Sequence, residues 1–285
     1  MLSAAEVRPA QRRRRSPYSD KQHYQEYILQ RIEGYKNSIG RDELLRLGDE
    51  AASELQATME GQFVLTEVLM LESVDRLIMK RLSLRPYRRW RQQFIKLRAA
   101  QRTPNHWGLE PHCPVAPLLP RIEPEDSALV IGTGAAPMTY LLAAHDAAVT
   151  FIAADLGCVE RVESRMAAEA LASLFESYVA QLDQVLPDFL GFLTALDVVI
   201  LDPSVLLDLS TATRSALLRD LQERSRPGGI HVLLPTCKAI GPHALRSLYP
   251  GWIQEEDPKR RRRQAESRRQ EGLILCKPVC PPDTP

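Results

Sequence analysis

The chain has 285 residues and a mass of 32.1 kDa, which is enough for one large domain with an appendage or for two ordinary domains. With 44% hydrophobic and 26% charged residues it can bury a sizeable core, and this composition excludes the collagenous and low-complexity classes. No apolar stretch reaches the roughly 18 residues of a membrane span, and the first 20 residues lack the apolar region of a secretory signal, so we expect a cytoplasmic protein with no transmembrane helix.

The net charge of +1 hides a strong asymmetry along the chain. Residues 103–257 contain 9 Lys and Arg against 20 Asp and Glu, a net charge of −11, whereas the two flanks together hold 28 against 16, a net of +12. The basic residues form clusters at 12–15, 81–102 and 259–269. Such clusters can contact nucleic acid or an acidic partner, or they can be solvated helix faces, and no recognised nucleic-acid motif accompanies them.

The N-terminal third of the sequence predicts a tail followed by helices. Residues 1–18 are basic and lack periodicity, which predicts a disordered tail. Apolar residues at helical spacing then predict a helical domain over 19–102. In its last helix a stripe of Tyr87, Trp90, Phe94 and Leu97 alternates with arginines, as on an amphipathic helix with a buried apolar face. Residues 103–120 carry five prolines and predict a linker.

Residues 121–285 alternate short apolar runs with helical segments, which predicts a doubly wound, mostly parallel α/β sheet. The predicted strands are 127–132, 148–155, 178–183, 197–202, 229–235 and 272–278. The last of these reads as one arm of a hairpin, after a basic loop. The predicted helices are 137–145, 160–177, 210–225 and 242–249.

The sharpest local signal is LVIGTGAAPMTYLL at 129–142, a strand that ends in glycines and turns directly into a helix. Gly132 and Gly134 permit backbone conformations and a close ligand approach that a side chain would obstruct. The N–H groups at the start of the helix can bind a polar or anionic ligand. A lone G-x-G is weak evidence, because any tight turn from a strand into a helix can use one.

An acidic residue closes the next predicted strand. Asp155 lies 21 residues after Gly134, close to the spacing at which nucleotide-binding α/β folds place an acid on the ribose hydroxyls. Asp155 is therefore the leading candidate for a ribose ligand, and the alternative is that it only caps the following helix. Asp183 closes the weaker third predicted strand, where such folds often contact the adenine.

These features resemble the class I S-adenosylmethionine-dependent methyltransferases. The resemblance covers roughly 107–278 and rests on GTGAAP after a strand, on Asp155, on LDVVILDPSVLLDLS and on the turn RPGG at 226–229. It implies a class I methyltransferase-like sheet with S-adenosylmethionine as cofactor. The cofactor-binding residues that it implies are Gly132, Thr133, Gly134, Asp155, Leu156, Asp183 and Asp202.

The chain also departs from the family's pattern. Val130 stands where many members carry an acid, and DPSV at 202–205 only partly matches the DPPY of amino-methylating enzymes, which weighs against N-methylation of nucleic acid. The candidate general bases are Asp202, His231 and His106, with His112 as a further titratable residue of the segment before the sheet. No metal site is predicted, since the five cysteines include no C-x-x-C pair.

The sequence thus predicts an S-adenosylmethionine-dependent methyltransferase of unknown acceptor, with a small molecule favoured over nucleic acid and no membrane partner. The residues that would contact RNA, DNA or an acidic protein are Arg88, Arg89, Arg91, Arg260, Arg261, Arg262 and Arg263. Two alternatives stay open. One is a catalytically inactive, methyltransferase-like binding or regulatory protein. The other is an enzyme similar to nicotianamine synthase, whose loop has a similar G-x-G-x-x-P-x-T pattern and which transfers the aminobutyrate arm of the same cofactor.

Overall fold

A computed structural model describes residues 19–58, 67–183, 185–237, 239–255 and 272–279. The predicted N-terminal tail and the basic segment 259–269, with Arg260 to Arg263, lie outside these residues. The chain forms two compact units, one ending at Leu97 and the other starting at Arg98. Over the described ranges, no helix is both long and apolar enough to cross a bilayer.

The first unit is helical, which confirms the predicted helices ahead of the sheet. Its helices are α1 (Asp20–Ser38), α2 (Arg41–Thr58), α3 (Glu67–Arg81) and most of α4 (Tyr87–Gln101). Apolar side chains at helical spacing meet in its core because each helix turns one stripe inward. These buried residues are Ile32 on α1, Leu47 and Ala51 on α2, and Leu77 and Ile78 on α3.

The aromatic stripe of α4 packs against α1. Trp90 is only 8% exposed, and its ring lies 4.6 Å from the ring of Phe94 and 5.2 Å from that of Tyr24 on α1. On the wet side of α4, Arg91 pairs with Asp20 at 2.6 Å. The aromatic part of the stripe is therefore the inward face of an amphipathic helix, as its spacing predicts, whereas Leu97 is 38% exposed.

The second unit is built on a seven-stranded sheet of order β3-β2-β1-β4-β5-β7-β6. The strands are β1 (Ser127–Ile131), β2 (Ala148–Ala153), β3 (Phe175–Val179), β4 (Leu196–Leu201), β5 (Ser225–Leu233), β6 (Ile253–Gln254) and β7 (Leu273–Cys276). The first five strands run parallel, and β7 runs antiparallel to both β5 and β6. The doubly wound, mostly parallel sheet with a terminal hairpin is confirmed.

Helices cover both faces of this sheet. They are α5 (Ala136–Ala144), α6 (Leu156–Ala168), α7 (Thr211–Arg224) and α8 (Pro242–Ser247). Along β1, Ala128 and Val130 join the core under α5 and α6, whereas Leu129 and Ile131 join the core under α7 and α8. Because alternate residues of a strand point to opposite faces, a strand buried on both sides is apolar throughout.

The third strand and the helix before it differ from the sequence prediction. α6 ends at Ala168, and Ala170 then takes a left-handed conformation with φ of 54°. No glycine or proline in the sequence marks this turn. β3 therefore starts earlier than predicted and pairs with β2 from Phe175 to Val179. The predicted strand 178–183 overlaps it by two residues.

Residues 103–120 are part of the core of the second unit. Val115 is fully buried and Leu118 is 1% exposed, and both join the cluster that includes α5 and α6. The ring of Trp107 stacks on that of Tyr140 at 5.0 Å, with the guanidinium of Arg165 5.1 Å from the Trp107 ring centre. The prolines mark an irregular but packed segment.

Candidate functional site

The candidate site lies at the carboxyl ends of the parallel strands. β1 sits between β2 and β4, so the loop after β1 lies where the strand order reverses, the position at which open α/β sheets bind ligands. This loop is the glycine loop, residues 132–135. Asp155 follows β2, Asp202 follows β4, and Thr236 follows β5. The sequence predicts all of these positions except Thr236.

The two glycines of the loop pack directly on Asp202. Gly132 has φ of 96°, a left-handed value that favours glycine, and a Cβ there would lie 2.7 Å from the Cβ of Asp202. A Cβ on Gly134 would lie 2.5 Å from Asp202 Oδ2 and 3.1 Å from a methyl carbon of Thr236. The close approach that requires glycine is therefore to the protein's own side chain.

Asp202 is a buried carboxylate that joins three loops. It is 2% exposed, and its oxygens accept hydrogen bonds from the Gly134 N–H at 2.9 Å, from the Ser204 N–H at 2.9 Å and from the Thr236 hydroxyl. Such an ionised acceptor makes strong hydrogen bonds with each donor. Its burial and these bonds fit a positioning role better than the predicted role of a general base.

The position of Asp155 is compatible with both roles considered for it, that of a helix cap and that of a ribose ligand. Its Oδ1 accepts the Gly157 N–H at 2.9 Å and caps α6, while its Oδ2 lies 3.8 Å from the guanidinium of Arg161. The Asp155 side chain is 57% exposed and that of Arg161 72%, so this ion pair is weak. Oδ1 thus caps the helix, and Oδ2 lies beside an exposed guanidinium. Next to it, Leu156 is 56% exposed.

Two further predicted cofactor residues, Thr133 and Asp183, are both exposed. Thr133 lies exposed in the glycine loop. Asp183 is exposed too, yet it does not close the third strand, which ends four residues earlier at Val179. The prediction that Asp183 closes this strand is wrong, because β3 lies closer to the N-terminus than predicted. Its contact with the adenine stays a prediction.

His231 lies in the core instead of at the open edge. It is fully buried on β5, with Nδ1 3.0 Å from the Tyr249 hydroxyl and Nε2 2.7 Å from the Ser225 hydroxyl. Because the Ser225 hydroxyl donates to the Leu221 carbonyl at 2.8 Å, it accepts from His231, and this assigns the ring proton to Nε2. Burial, together with the charge of Lys277, lowers the pKa of His231 to about 3.

His106 lies at the opposite end of α6 from Asp155. Its Nε2 is 3.7 Å from a carboxylate oxygen of Glu169, which directly follows α6, and its ring packs edge-on against Trp107. α6 has 13 residues, which at about 1.5 Å per residue gives a length of about 20 Å. The structure therefore separates His106 from the glycine loop.

A cavity of about 420 Å³ lies away from the glycine loop, at the outer edge of the sheet. Its lining includes Glu163 on α6 and Phe175, Glu176 and Tyr178 on β3. Glu163 also accepts a hydrogen bond from the Ser177 hydroxyl, and Glu176 accepts one from the Tyr178 hydroxyl at 3.0 Å. The polar side chains that line the cavity are thus hydrogen-bonded to one another.

Of the basic residues predicted to contact a polyanion, Arg91 is already paired within the protein, and so is Arg81 of the same basic cluster. Arg81 bonds to Glu43 and Glu50, and Arg91 bonds to Asp20. Arg88 and Arg89 are exposed on α4. The contact of these arginines with RNA, DNA or an acidic protein stays a prediction.

No family model matches the chain, and neither does any curated protein. Many solved structures resemble it in fold. A methyltransferase from Geobacter sulfurreducens is 12% identical with a TM-score of 0.37, over 81% of this chain and 98% of that one. TehB from Haemophilus influenzae is 13% identical with a TM-score of 0.41, over 57% of this chain and 61% of that one. An S-adenosylmethionine-dependent methyltransferase from Geobacter sulfurreducens, in complex with S-adenosyl-L-homocysteine, is 17% identical with a TM-score of 0.30, over 40% and 43%.

These likenesses are distant and lend no residue role to this chain. The strand order of the chain itself, with β7 inserted antiparallel between β5 and β6, is that of the class I methyltransferase fold. The expected fold is thereby confirmed.

Proposed function

We propose that this chain is an S-adenosylmethionine-dependent methyltransferase that acts on a small molecule. The observation that carries the proposal is the exposed carboxylate of Asp155 at the end of β2, next to the glycine loop at the point where the strand order reverses. The Asp155 side chain is 57% exposed, and its Oδ2, which does not cap α6, can accept from a ribose diol.

The residues present fit this cofactor. Asp155 would hold the ribose, exposed Leu156 would lie against the adenine, and Thr133 and Gly134 are exposed in the glycine loop. When bound, S-adenosylmethionine supplies a methyl carbon activated by the sulfonium. The chain's own contribution is to hold that end and the acceptor in line, since positioning alone removes much of the barrier to such a displacement.

The positions of Asp202, His231 and His106 bear on which acceptors the site can methylate. Asp202 is buried under the glycine loop, His231 is in the core, and His106 is at the far end of α6. A base is needed only when the acceptor is protonated at the working pH. The site therefore suits an acceptor that carries its lone pair at that pH.

The positions of these three residues, two buried and one at the far end of α6, also favour a second candidate function. This is a methyltransferase-like protein that binds the cofactor and has lost the chemistry. Transfer experiments distinguish the candidates. Calorimetry with S-adenosylmethionine and S-adenosylhomocysteine tests binding. Incubation with metabolite, RNA, DNA and protein pools then tests transfer, with one cofactor sample labelled on the methyl group and another on the methionine carboxyl group. Transfer of the methyl label supports the methyltransferase, transfer of the carboxyl label supports the aminobutyrate transferase, and binding without transfer supports the binding protein.

The first prediction concerns Asp155. Replacing it by Asn keeps the side-chain oxygen that caps α6 and removes the charge offered to the ribose. We expect the free energy of unfolding to stay unchanged and the affinity for S-adenosylmethionine to fall more than about tenfold, as the loss of about 1.5–3 kcal/mol from a charge-assisted hydrogen bond implies. Calorimetry and urea unfolding measure the two effects.

The matched control is Asp208→Asn, which removes an exposed carboxylate from the loop after β4. It should bind like the wild type. If folded Asp155→Asn protein keeps the wild-type affinity, Asp155 is only a helix cap and the proposed function loses its main support.

A further inference from the structure

The glycine loop of this chain already accommodates an anion, and the anion is the protein's own Asp202. The carboxylate lies against Gly134, where a Cβ would be 2.5 Å from its Oδ2, and the Cβ of Asp202 lies against Gly132. It accepts the Gly134 N–H, one of the loop donors that a bound phosphate would otherwise take. A ligand therefore meets a loop whose anion-binding capacity is partly used.

The charge of Asp202 is not offset by its hydrogen-bond donors. Among the described residues these donors are two backbone N–H groups and the hydroxyl of Thr236, and all three are neutral. Oδ1 accepts from Ser204 and Thr236, whereas Gly134 is the one donor to Oδ2 in the described ranges. An ionised carboxylate has about four lone-pair sites, so Oδ2 keeps acceptor capacity on the side of the loop.

We propose that Asp202 makes the glycine loop selective for a cationic ligand group and unfavourable to an anionic one. The inference rests on the proposed function, in which the methionine end of the cofactor lies against Gly132 and Gly134. That end carries a sulfonium, an ammonium and a carboxylate, a net charge of +1. The demethylated product lacks the sulfonium charge, and the pyrophosphate of a dinucleotide is an anion. In a partly buried site such differences of one charge are only weakly screened.

The experiment compares ligands that differ in charge at the same place. Calorimetry measures the affinities of the wild type, Asp202→Asn and the exposed-loop control Asp208→Asn for three probes: S-adenosylmethionine, S-adenosylhomocysteine and NADH. Urea unfolding of each variant is followed in parallel. A purely structural role for Asp202 would weaken the first two ligands equally, whereas a charge effect lowers the preference for the sulfonium.

In the wild type we expect the sulfonium ligand to bind more tightly than S-adenosylhomocysteine, with no binding of NADH at millimolar concentration. In Asp202→Asn we expect the affinity for S-adenosylmethionine to fall about tenfold more than that for S-adenosylhomocysteine, the size of one screened charge pair. Asp208→Asn should leave both affinities unchanged.

Equal weakening of both ligands, or no change, in Asp202→Asn would overturn the inference. If that variant does not fold, the wild type alone decides, because equal affinity for the two ligands or saturable binding of NADH contradicts a selective loop. Failure of the wild type to bind either adenosyl ligand removes the proposed function and this inference with it. Binding of both without a sulfonium preference removes only the inference.

Discussion

Asp202 and His231 are both buried polar side chains, and each is satisfied by partners distant in sequence. Asp202 draws on Gly134 and Thr236, 68 and 34 residues away, and His231 draws on Tyr249, 18 residues away. A buried polar group needs such partners, since leaving it without them costs about 1–3 kcal/mol. The sequence predicts that Asp202 ends a strand. It does not predict its burial, because the donors that permit burial are brought in by other strands.

The lowered pKa of His231 makes a prediction about acid stability. The folded protein holds His231 neutral down to a pH near 3, whereas the unfolded chain takes up its proton below about 6.5. Above 6.5 the residue has no effect on the pH dependence. Below it the unfolded state binds one proton more, so the free energy of unfolding falls by about 1.4 kcal/mol per pH unit from this residue.

Urea unfolding followed by circular dichroism at pH 7, 6, 5 and 4 measures this slope. His231→Gln, with no titrating ring, is the comparison, since the other five histidines are present in both proteins. We expect the variant to be less stable at pH 7 and its slope to be smaller by the contribution of one proton. Equal slopes in the two proteins would mean that His231 is protonated in the folded state.

At the scale of elements, the last turn of α4 belongs to the sheet-bearing unit through a buried polar cluster. Asp146, in the turn between α5 and β2, accepts from Arg98 at 2.6 Å and from Arg102 at 2.7 Å. Gln101, fully buried, donates to the backbone carbonyl and to the carboxylate of Glu169 after α6. The end of one helix is thus fixed to the ends of two others.

This cluster gives a prediction for Asp146→Asn. Asp146 has φ of 67°, and asparagine tolerates this left-handed conformation, so the turn should persist. The guanidinium of Arg98, whose side chain is 16% exposed, would then face a neutral amide. We expect the free energy of unfolding to fall by about 1.5–3 kcal/mol, the contribution of hydrogen bonds to a charged group.

Denaturant unfolding at constant pH tests this prediction, with Asp188→Asn as the control. Asp188 is exposed, and its replacement should change stability by less than about 0.5 kcal/mol. If both variants unfold at the wild-type midpoint, the Asp146 cluster adds nothing to the stability of the fold.

The comparison of β1 with β3 explains which elements the sequence can predict. β1 is buried on both faces and therefore appears as an uninterrupted apolar run, so its predicted bounds differ from the observed ones by one residue. β3 is an edge strand, FESYV, whose residues are partly buried or exposed and none of them fully buried, and it lacks that signal. The glycine loop and Asp155 were predictable because both follow strongly apolar strands. Thr236 and the closure of the loop by Asp202 were not, because they depend on tertiary packing.

At the scale of the whole molecule, the uneven charge bears on the choice of partner. Residues 103–257, which hold every candidate cofactor residue, carry a net charge of −11. A negative field of this kind repels a polyanion from the carboxyl edge of the sheet. We therefore favour a small-molecule acceptor over RNA or DNA.

We therefore predict that the protein binds RNA and DNA weakly and without saturation at physiological salt. Fluorescence anisotropy with labelled oligonucleotides over a salt series measures it, since each phosphate contact contributes about 0.7 to 0.9 to the log–log slope. Replacing Arg260 to Arg263 by Ser, or Arg88 and Arg89 by Ser, should change little. Tight, saturable binding that disappears in the Arg260 to Arg263 variant would establish a nucleic-acid partner instead.

The three tryptophans of the chain each lie in a different packed cluster. Trp90 lies in the aromatic stripe of α4, Trp107 in the core on the α5 and α6 side of the sheet, and Trp252 in the core on the other side. Protein with two of them replaced by Phe would therefore contain a single fluorophore that reports on one cluster. The Trp252 ring centre also lies 4.5 Å from that of His231, so its emission reports on the core around that histidine. The three single-tryptophan proteins would therefore show whether these three clusters unfold together or one after another.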